Sequence, residues 1–280
     1  MAHDRPRHAL ARIKKLASFW PVVGVMGLRQ SGKSTLFREQ IRHKNYVTFD
    51  DDDQRAEAEA SSKAYLAKHE LPLVIDEVQK VPSVFDAIKS AVDRRRIPGS
   101  FLLTGSSAFS AQKETKESLT GRIGVLSLYP FTLAEMHRLE LEPQRCRVVH
   151  AKKPRIRIEA FSATLSSGGL PVPAFTRDKM MREDYWKNWM ATTLGRDLAR
   201  VYGRGYDTDF AERILHETVK LQARGEWVQV SSFKYDTRKV RKYLSALRDV
   251  FVLKMIPCHE QGVGRDVYWL SDPGMLHALS

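Results

Sequence analysis

The chain has 280 residues, 42% of them hydrophobic and 28% charged, which is ordinary globular usage with room for one large domain or two smaller ones. Its two cysteines, Cys146 and Cys258, fit no metal or redox spacing and read as free thiols; no apolar run nears the ~18 residues of a membrane span, and no secretory leader is evident, so the expected setting is cytoplasmic. The net charge of +13 leans toward the second half, since residues 1–140 carry 22 Lys and Arg against 17 Asp and Glu while residues 141–280 carry 24 against 16, which makes a polyanion such as DNA a candidate partner beside the plainer reading of a basic surface.

In chain order, Leu10, Ile13 and Leu16 share one face of a short amphipathic helix that leads into an apolar strand, Pro21 to Met26. A helix is expected from Lys33 to about Arg42, and a second strand at Tyr46–Phe49. The run Asp50–Asp53 can be read as a metal cluster, but a capped, acidic helix start is the better reading, with helix continuing to about His69. Leu71 to Ile75 is a third, wholly apolar strand. Val81, Phe85, Ile88 and Val92 then recur at helical spacing behind Pro82, a residue favoured at helix starts. Strands follow at Phe101–Thr104 and Gly124–Tyr129. Strands alternating with helices imply a parallel sheet covered on both faces.

Beyond about Leu141 the character changes. A basic stretch, densest from Arg145 to Arg157, looks like a linker, and Gly168 to Pro173 looks turn-rich. The rest is mainly helical: Asp178 to about Arg200, Asp209 to Gln222, and a helix capped by Asp236 with Val240, Leu244, Leu247 and Phe251 as its apolar stripe. Two strand-like runs, Val252–Ile256 and Asp266–Leu270, joined through Gly262–Gly264, complete a winged-helix outline. Arg238, Lys239, Arg241 and Lys242 fall off the stripe, as a DNA-contacting face or a merely solvated one.

The chemistry concentrates in the first half. Gly27-Leu28-Arg29-Gln30-Ser31-Gly32-Lys33-Ser34 meets the phosphate-loop pattern at every specified position, between a strand and a helix that begins with Lys33, Ser34 and Thr35. Glycines let backbone amides wrap a phosphate, the lysine reaches the outer phosphates, and the Ser34 hydroxyl is a ligand for Mg²⁺. Asp76 and Glu77 close the third strand. There the aspartate suits Mg²⁺ or its waters, and the glutamate suits the attacking water. Thr104, with Ser106 as the alternative, follows the fourth strand and can address the terminal phosphate or that water. Arg122, before the last strand, is a candidate for stabilising charge on the transferred phosphoryl group, in the chain or across a subunit boundary, and equally a solvated surface residue.

Gly27–Ser34, Ile75-Asp-Glu-Val-Gln-Lys-Val-Pro82, Leu103–Ser107, Leu119–Arg122 and Leu128–Phe131 resemble, in order, segments of the prokaryotic AAA+-type ATP-binding proteins that carry a C-terminal domain of unknown function. A looser likeness runs through Gly168–Pro171, Leu194–Asp197, Val240–Leu253 and Ser271–Gly274. The resemblance implies ATP with Mg²⁺, the loop and acidic-pair roles given above, and a Ser/Thr sensor after strand four.

The resulting expectation is an α/β fold: an AAA+-like P-loop ATPase domain with a five-stranded parallel sheet at 1–140, a basic linker region at 141–175, and a mainly helical, winged-helix-like domain at 176–280. Its expected activity is Mg²⁺-dependent ATP hydrolysis coupled to C-terminal interaction with a protein client or another copy of the chain. A nucleotide-gated switch with little turnover and a DNA-binding regulator remain the alternatives.

Overall fold

The computed structural model describes residues 5–108, 118–139, 158–257 and 266–279. The basic stretch from Arg145 to Arg157, both cysteines and the Gly262–Gly264 turn lie outside these residues. The chain forms two compact units, one spanning Arg7–Leu128, the other taking in the described residues from Tyr129 on together with Arg5 and Pro6.

The first unit is a five-stranded sheet in the order β2 (Asn45–Thr48), β3 (Leu73–Asp76), β4 (Phe101–Gly105), β1 (Val22–Met26), β5 (Ile123–Ser127). Every pairing is parallel. The strands β1, β3 and β4 are buried along their whole length, as sheet interiors covered on both faces must be. Helix α1 (Ala9–Ala17) buries Ile13 and Leu16, and α2 (Lys33–Gln40) buries Leu36 and Phe37. These side chains join Val23 and Val25 of β1 in one apolar cluster.

The acidic stretch after β2 is two helices, α3 (Asp52–Ala60) and α4 (Ser62–Ala67). Asp51 caps α3 by accepting from the amides of Asp53 and Gln54, and Ser61 interrupts the run with extended backbone while capping α4. Asp52 and Asp53 stand in the first turn of α3 behind the Asp51 cap, an acidic helix start. Helix α5 (Ser83–Arg94) buries Phe85, Ile88 and Val92, the expected face. Strand β4 lies between β3 and β1, which sets its carboxyl end between the acidic pair and the P-loop.

The second unit is mainly helical: α6 (Leu133–Met136), α7 (Ile158–Ser167), α8 (Pro171–Phe175), α9 (Lys179–Thr192), α10 (Ala199–Tyr202), α11 (Thr208–Ala223), α12 (Thr237–Asp249) and α13 (Pro273–Leu279). An antiparallel hairpin of β6 (Leu253–Ile256) and β7 (Val267–Leu270) follows α12. The segment expected to be turn-rich opens α8, with Pro171 at its first turn, where a proline sacrifices no hydrogen bond. Phe251 lies beyond the end of α12 with φ of 63°, so the apolar stripe is Val240, Leu244 and Leu247 and stops there. Among the described residues no helix is long and apolar enough to cross a membrane.

Asp272 holds this unit together. It is fully buried, and its carboxylate accepts from the amides of Gly169 (2.9 Å), Leu170 (3.0 Å) and Gly274 (2.7 Å). Gly168, at φ of 78°, leaves no space for a side chain, since a Cβ there would stand 2.2 Å from Asp272 Oδ1. Burial pushes the Asp272 carboxyl up to about 6, against the pull of the three amides. The folded chain therefore keeps this proton to higher pH than the unfolded chain does. The associated stability is full below the ordinary Asp value and is lost as pH rises through about 6. Asp272→Asn, which mimics the protonated form, should gain on the wild type by about 2–3 kcal/mol between pH 4 and pH 7. Denaturant unfolding of both proteins across that range measures the gain, and parallel pH profiles would contradict it.

Candidate functional site

The P-loop is shaped by steric necessity before any ligand enters. A Cβ on Gly27 would stand 2.1 Å from the carbonyl oxygen of Leu128, so only glycine fits where the loop leaves β1. Gln30 (φ 62°) and Gly32 (φ 93°) adopt left-handed backbone, which turns the chain back into α2. The buried side chain of Leu28 anchors the loop from below, and the Arg7 guanidinium, also buried, donates to the Ser31 carbonyl at 2.9 Å. Ser31 Oγ is buried with no hydrogen-bond partner. Arg29 is half-buried and Gln30 exposed. A helix leaves its first amides without acceptors one turn back, and in α2 the positions after Lys33 are Ser34 and Thr35. Amides and helix dipole thus converge on one point, the requirement for an anion site.

Lys33 is buried, and its ammonium donates to the carbonyls of Gly27 and Leu28, both at 2.9 Å. Its charge is folded back over the loop, and it also bears on Glu77, whose carboxyl it pulls downward in pKa.

Three strands bring their carboxyl ends together beside the loop. Asp76, the last residue of β3, accepts from Tyr46 Oη at 2.8 Å on one oxygen and from Thr104 Oγ1 on the other. Thr104 has no exposed surface and Asp76 is 4% exposed. Burial, then the adjacent Asp76 charge, pushes the Tyr46 hydroxyl up to about 12, so Tyr46 keeps the proton it donates to Asp76 over the working pH range. Glu77 takes left-handed backbone (φ 54°, ψ 40°), uncommon for a residue with a side chain. Its Oε2 accepts from the Gln79 carboxamide and from Ser106 Oγ (3.2 Å). Burial pushes the Glu77 carboxyl above the usual carboxylate range; Lys33 and Gln79 oppose this, while Asp76 and Asp50 add to it.

Of the residues singled out in the sequence, the fold gathers the P-loop, Asp76, Glu77, Thr104 and Ser106 at one sheet edge. Arg122 is not among them. It directly precedes β5, whose first residue Ile123 pairs with Val22, the first of β1. In a parallel sheet that is the amino edge, a five-residue strand away from the loop, about 15 Å at roughly 3.3 Å per residue. There Arg122 grips Asp93 with two bonds of 2.6 and 2.9 Å, and the pairing holds the Asp93 carboxyl below its ordinary value. Phosphoryl stabilisation by Arg122 within its own chain is thereby excluded.

Sequence reasoning missed Tyr46, Gln79 and Arg7. Tyr46 carries a faint signal: it stands two residues before Thr48, the register partner of Asp76, hence on the same face of β2. In the second unit, Lys239 lies 4.0 Å from the Phe210 ring centre and 3.6 Å from Asp207, and Lys242 lies 3.7 Å from the Tyr202 ring centre. Two of the four cations in the supposed DNA-facing set are thus engaged by their own unit.

The donor set suits a Mg²⁺–nucleotide complex. Ser34 and Asp76 are hard oxygen ligands, Lys33 and the loop amides match phosphate, and the orphaned Ser31 hydroxyl lies within the loop that would wrap it.

Residues 20–137 match the AAA domain family. Over 284 aligned residues the chain is 27% identical to an uncharacterized protein of Mycobacterium bovis and equally to one of Mycobacterium tuberculosis. The alignments cover 98% of this chain and 59% of each relative, so the chain spans only part of their length. Among solved structures, the Walker-type ATPase PABY2304 of Pyrococcus abyssi is similar with a TM-score of 0.51 at 12% identity, covering 98% of this chain and 95% of that one. That likeness is one of fold. With the phosphate loop after β1, the acidic pair after β3 and β4 set between them, residues 20–137 have the arrangement of a P-loop domain and are similar to the AAA domain family.

Proposed function

We propose that this domain binds ATP with Mg²⁺ and hydrolyses it. The observation that carries the reading is the convergence, at one sheet edge, of a buried lysine, a hydroxyl-bound aspartate and a half-buried glutamate whose charge is set partly by that lysine. Lys33 and the loop amides would hold the phosphates, and Ser34 with Asp76 would hold Mg²⁺. When bound, the ion offsets charge on the β- and γ-phosphate oxygens. Glu77 accepts a proton from the attacking water as its oxygen bonds to the γ-phosphorus, the bond to the β–γ bridging oxygen breaks, ADP leaves, and the proton passes to the phosphate product. Thr104 orients Asp76, and Tyr46 does so from the opposite side. The C-terminal unit, with α11, α12 and the β6–β7 hairpin in winged-helix order, is the element through which a partner senses the nucleotide.

Lys33→Ala should weaken ATP binding by about 100-fold or more, because the ammonium–phosphate contact is lost; fluorescent nucleotide titration measures it. Retained affinity would remove the loop as the binding site. Glu77→Gln should bind ATP as the wild type does while kcat falls by about 100-fold or more, read as multiple-turnover phosphate release. In the wild type the acid limb of kcat should lie above pH 4.5, the ordinary Glu value, since burial raises the proposed base. Activity then climbs as pH rises through that limb. Arg122→Ala should leave kcat within about two-fold at low protein concentration, given its distance along the sheet from the loop. A rate that falls strongly, and only where wild-type turnover per protomer rises with concentration, would instead place Arg122 in a neighbouring copy's site.

A further inference from the structure

Gln79 belongs to neither the P-loop, the acidic pair nor the strand-four hydroxyls, yet its carboxamide lies among them. Its Nε2 donates to Glu77 Oε2 and, at 3.2 Å, to Ser106 Oγ, which itself donates to the same Glu77 oxygen at 3.2 Å. The three side chains close a ring. The orientation of the amide is dictated, because the reverse would set its oxygen against a carboxylate. Among these bonds every one falls on Oε2 and none on Oε1 of Glu77.

Two further observations show that packing alone does not account for Gln79. It is 7% exposed, and its Oε1 is buried with no hydrogen-bond partner. Burying a carboxamide with an unmet acceptor costs free energy that an apolar side chain of the same size would avoid. The space it occupies also depends on a glycine. A Cβ on Gly105 would stand 2.5 Å from Gln79 Oε1 and 2.9 Å from Met26 Sδ. A side chain at Gly105 would fill the space that the amide occupies at the end of β4.

We propose that Gln79 is a positioning residue for hydrolysis: with Ser106 it pins Oε2 of Glu77, so that Oε1 is the oxygen presented to the attacking water. This rests on the ATPase reading above. Gln79 therefore acts on the aim of the base through the ring it closes with Ser106.

The test is full-chain ATP turnover, with nucleotide affinity and thermal unfolding measured on the same preparations. Gln79→Met keeps length and volume but removes the donor. Its kcat should fall by about 10- to 100-fold, as for other residues that orient a functional group, with KM for ATP within about two-fold. Gln79→Glu, which sets a carboxylate in place of the donor beside Glu77, should lose kcat at least as strongly, and it carries the comparison if the methionine variant does not fold. Wild-type kcat in Gln79→Met overturns the proposal. So does a lowered kcat that tracks a lower unfolding midpoint or a KM raised in proportion, which would make Gln79 a packing residue. If the wild type releases no phosphate, or Glu77→Gln turns over as the wild type does, the ATPase reading itself fails and this proposal falls with it; that outcome is recognisable without any Gln79 variant.

Discussion

A carboxylate closed off from water at the end of β3 constrains everything around it. Asp76 is buried, and an ionised group so placed needs hydrogen bonds on both oxygens or it becomes costly to keep. Its neighbours supply them, with Tyr46 donating from β2 and Thr104 from β4. Three adjacent strands are thereby fixed in register at their carboxyl ends, where Thr48 pairs with Asp76 and Ile75 with Leu103. A slip of one residue would turn Asp76 to the opposite face and leave both hydroxyls without their acceptor. The constraint extends to the loop, because Gly105, the residue after Thr104, accepts the amide of Gly27 at 3.2 Å. The acidic edge and the phosphate cradle are one hydrogen-bonded piece of backbone.

From that anchored residue the chain has to turn sharply. Glu77 does so in left-handed backbone, at a cost of about 1–2 kcal/mol for a residue with a Cβ. Strain of this kind persists where surrounding bonds over-determine it. Here the ring with Gln79 and Ser106, the short 3₁₀ turn Val78–Lys80 and the start of α5 supply them. Two consecutive carboxylates consequently meet different surroundings. Asp76 is bound by two neutral hydroxyls; Glu77 is bound by an amide and a hydroxyl in the field of a lysine, and burial raises its pKa. Adjacent acids whose environments differ in this way are suited to different work: metal holding for the first and proton transfer for the second, in the reading proposed above.

What could be read from the sequence follows from what sequence spacing encodes. The P-loop was legible because its glycines and lysine sit at offsets that a backbone turn and a helix start impose. The buried faces of α1, α5 and α12 were legible because helical period is local. Phe251 shows the limit of that signal: the apolar rhythm continues across the residue where the helix has already stopped. Of the readings open for Arg122, the one within its own chain could be weighed only with the strand's direction. Every strand here runs the same way, so a residue before a strand and a loop after one lie at opposite edges. The signal at Tyr46 was faint because a tyrosine on a short strand already has a reason to be there. Gln79 was silent because a glutamine in a turn reads as polar filler. Lys239 and Lys242 read as solvated because the rings that receive them, Phe210 and Tyr202, are tens of residues away in sequence. Local pattern gave the scaffold and its anion site, while the side chains that tune the site come from tertiary neighbours.

Lys33 connects these two kinds of information. Its position is dictated by the loop pattern, but its charge acts on a residue 44 positions later. In the structure its ammonium donates to two loop carbonyls, groups that carry only partial negative charge. In the proposed reading, a bound phosphate would offer full charge at the same mouth and draw the ammonium outward. The carboxyl of Glu77 would then lose part of the field that favours its ionised form, while phosphate charge nearby would push in the same unfavourable direction. Cationic charge brought with the nucleotide acts the opposite way. The proton affinity of Glu77 is thus a balance between a fixed part, burial and the Gln79–Ser106 ring, and a part that changes with what the loop holds. The fixed part is built into β4 and the turn after β3, so in the proposed reading a change at Gln79 would act on turnover through Glu77 without altering a residue of the phosphate-binding loop.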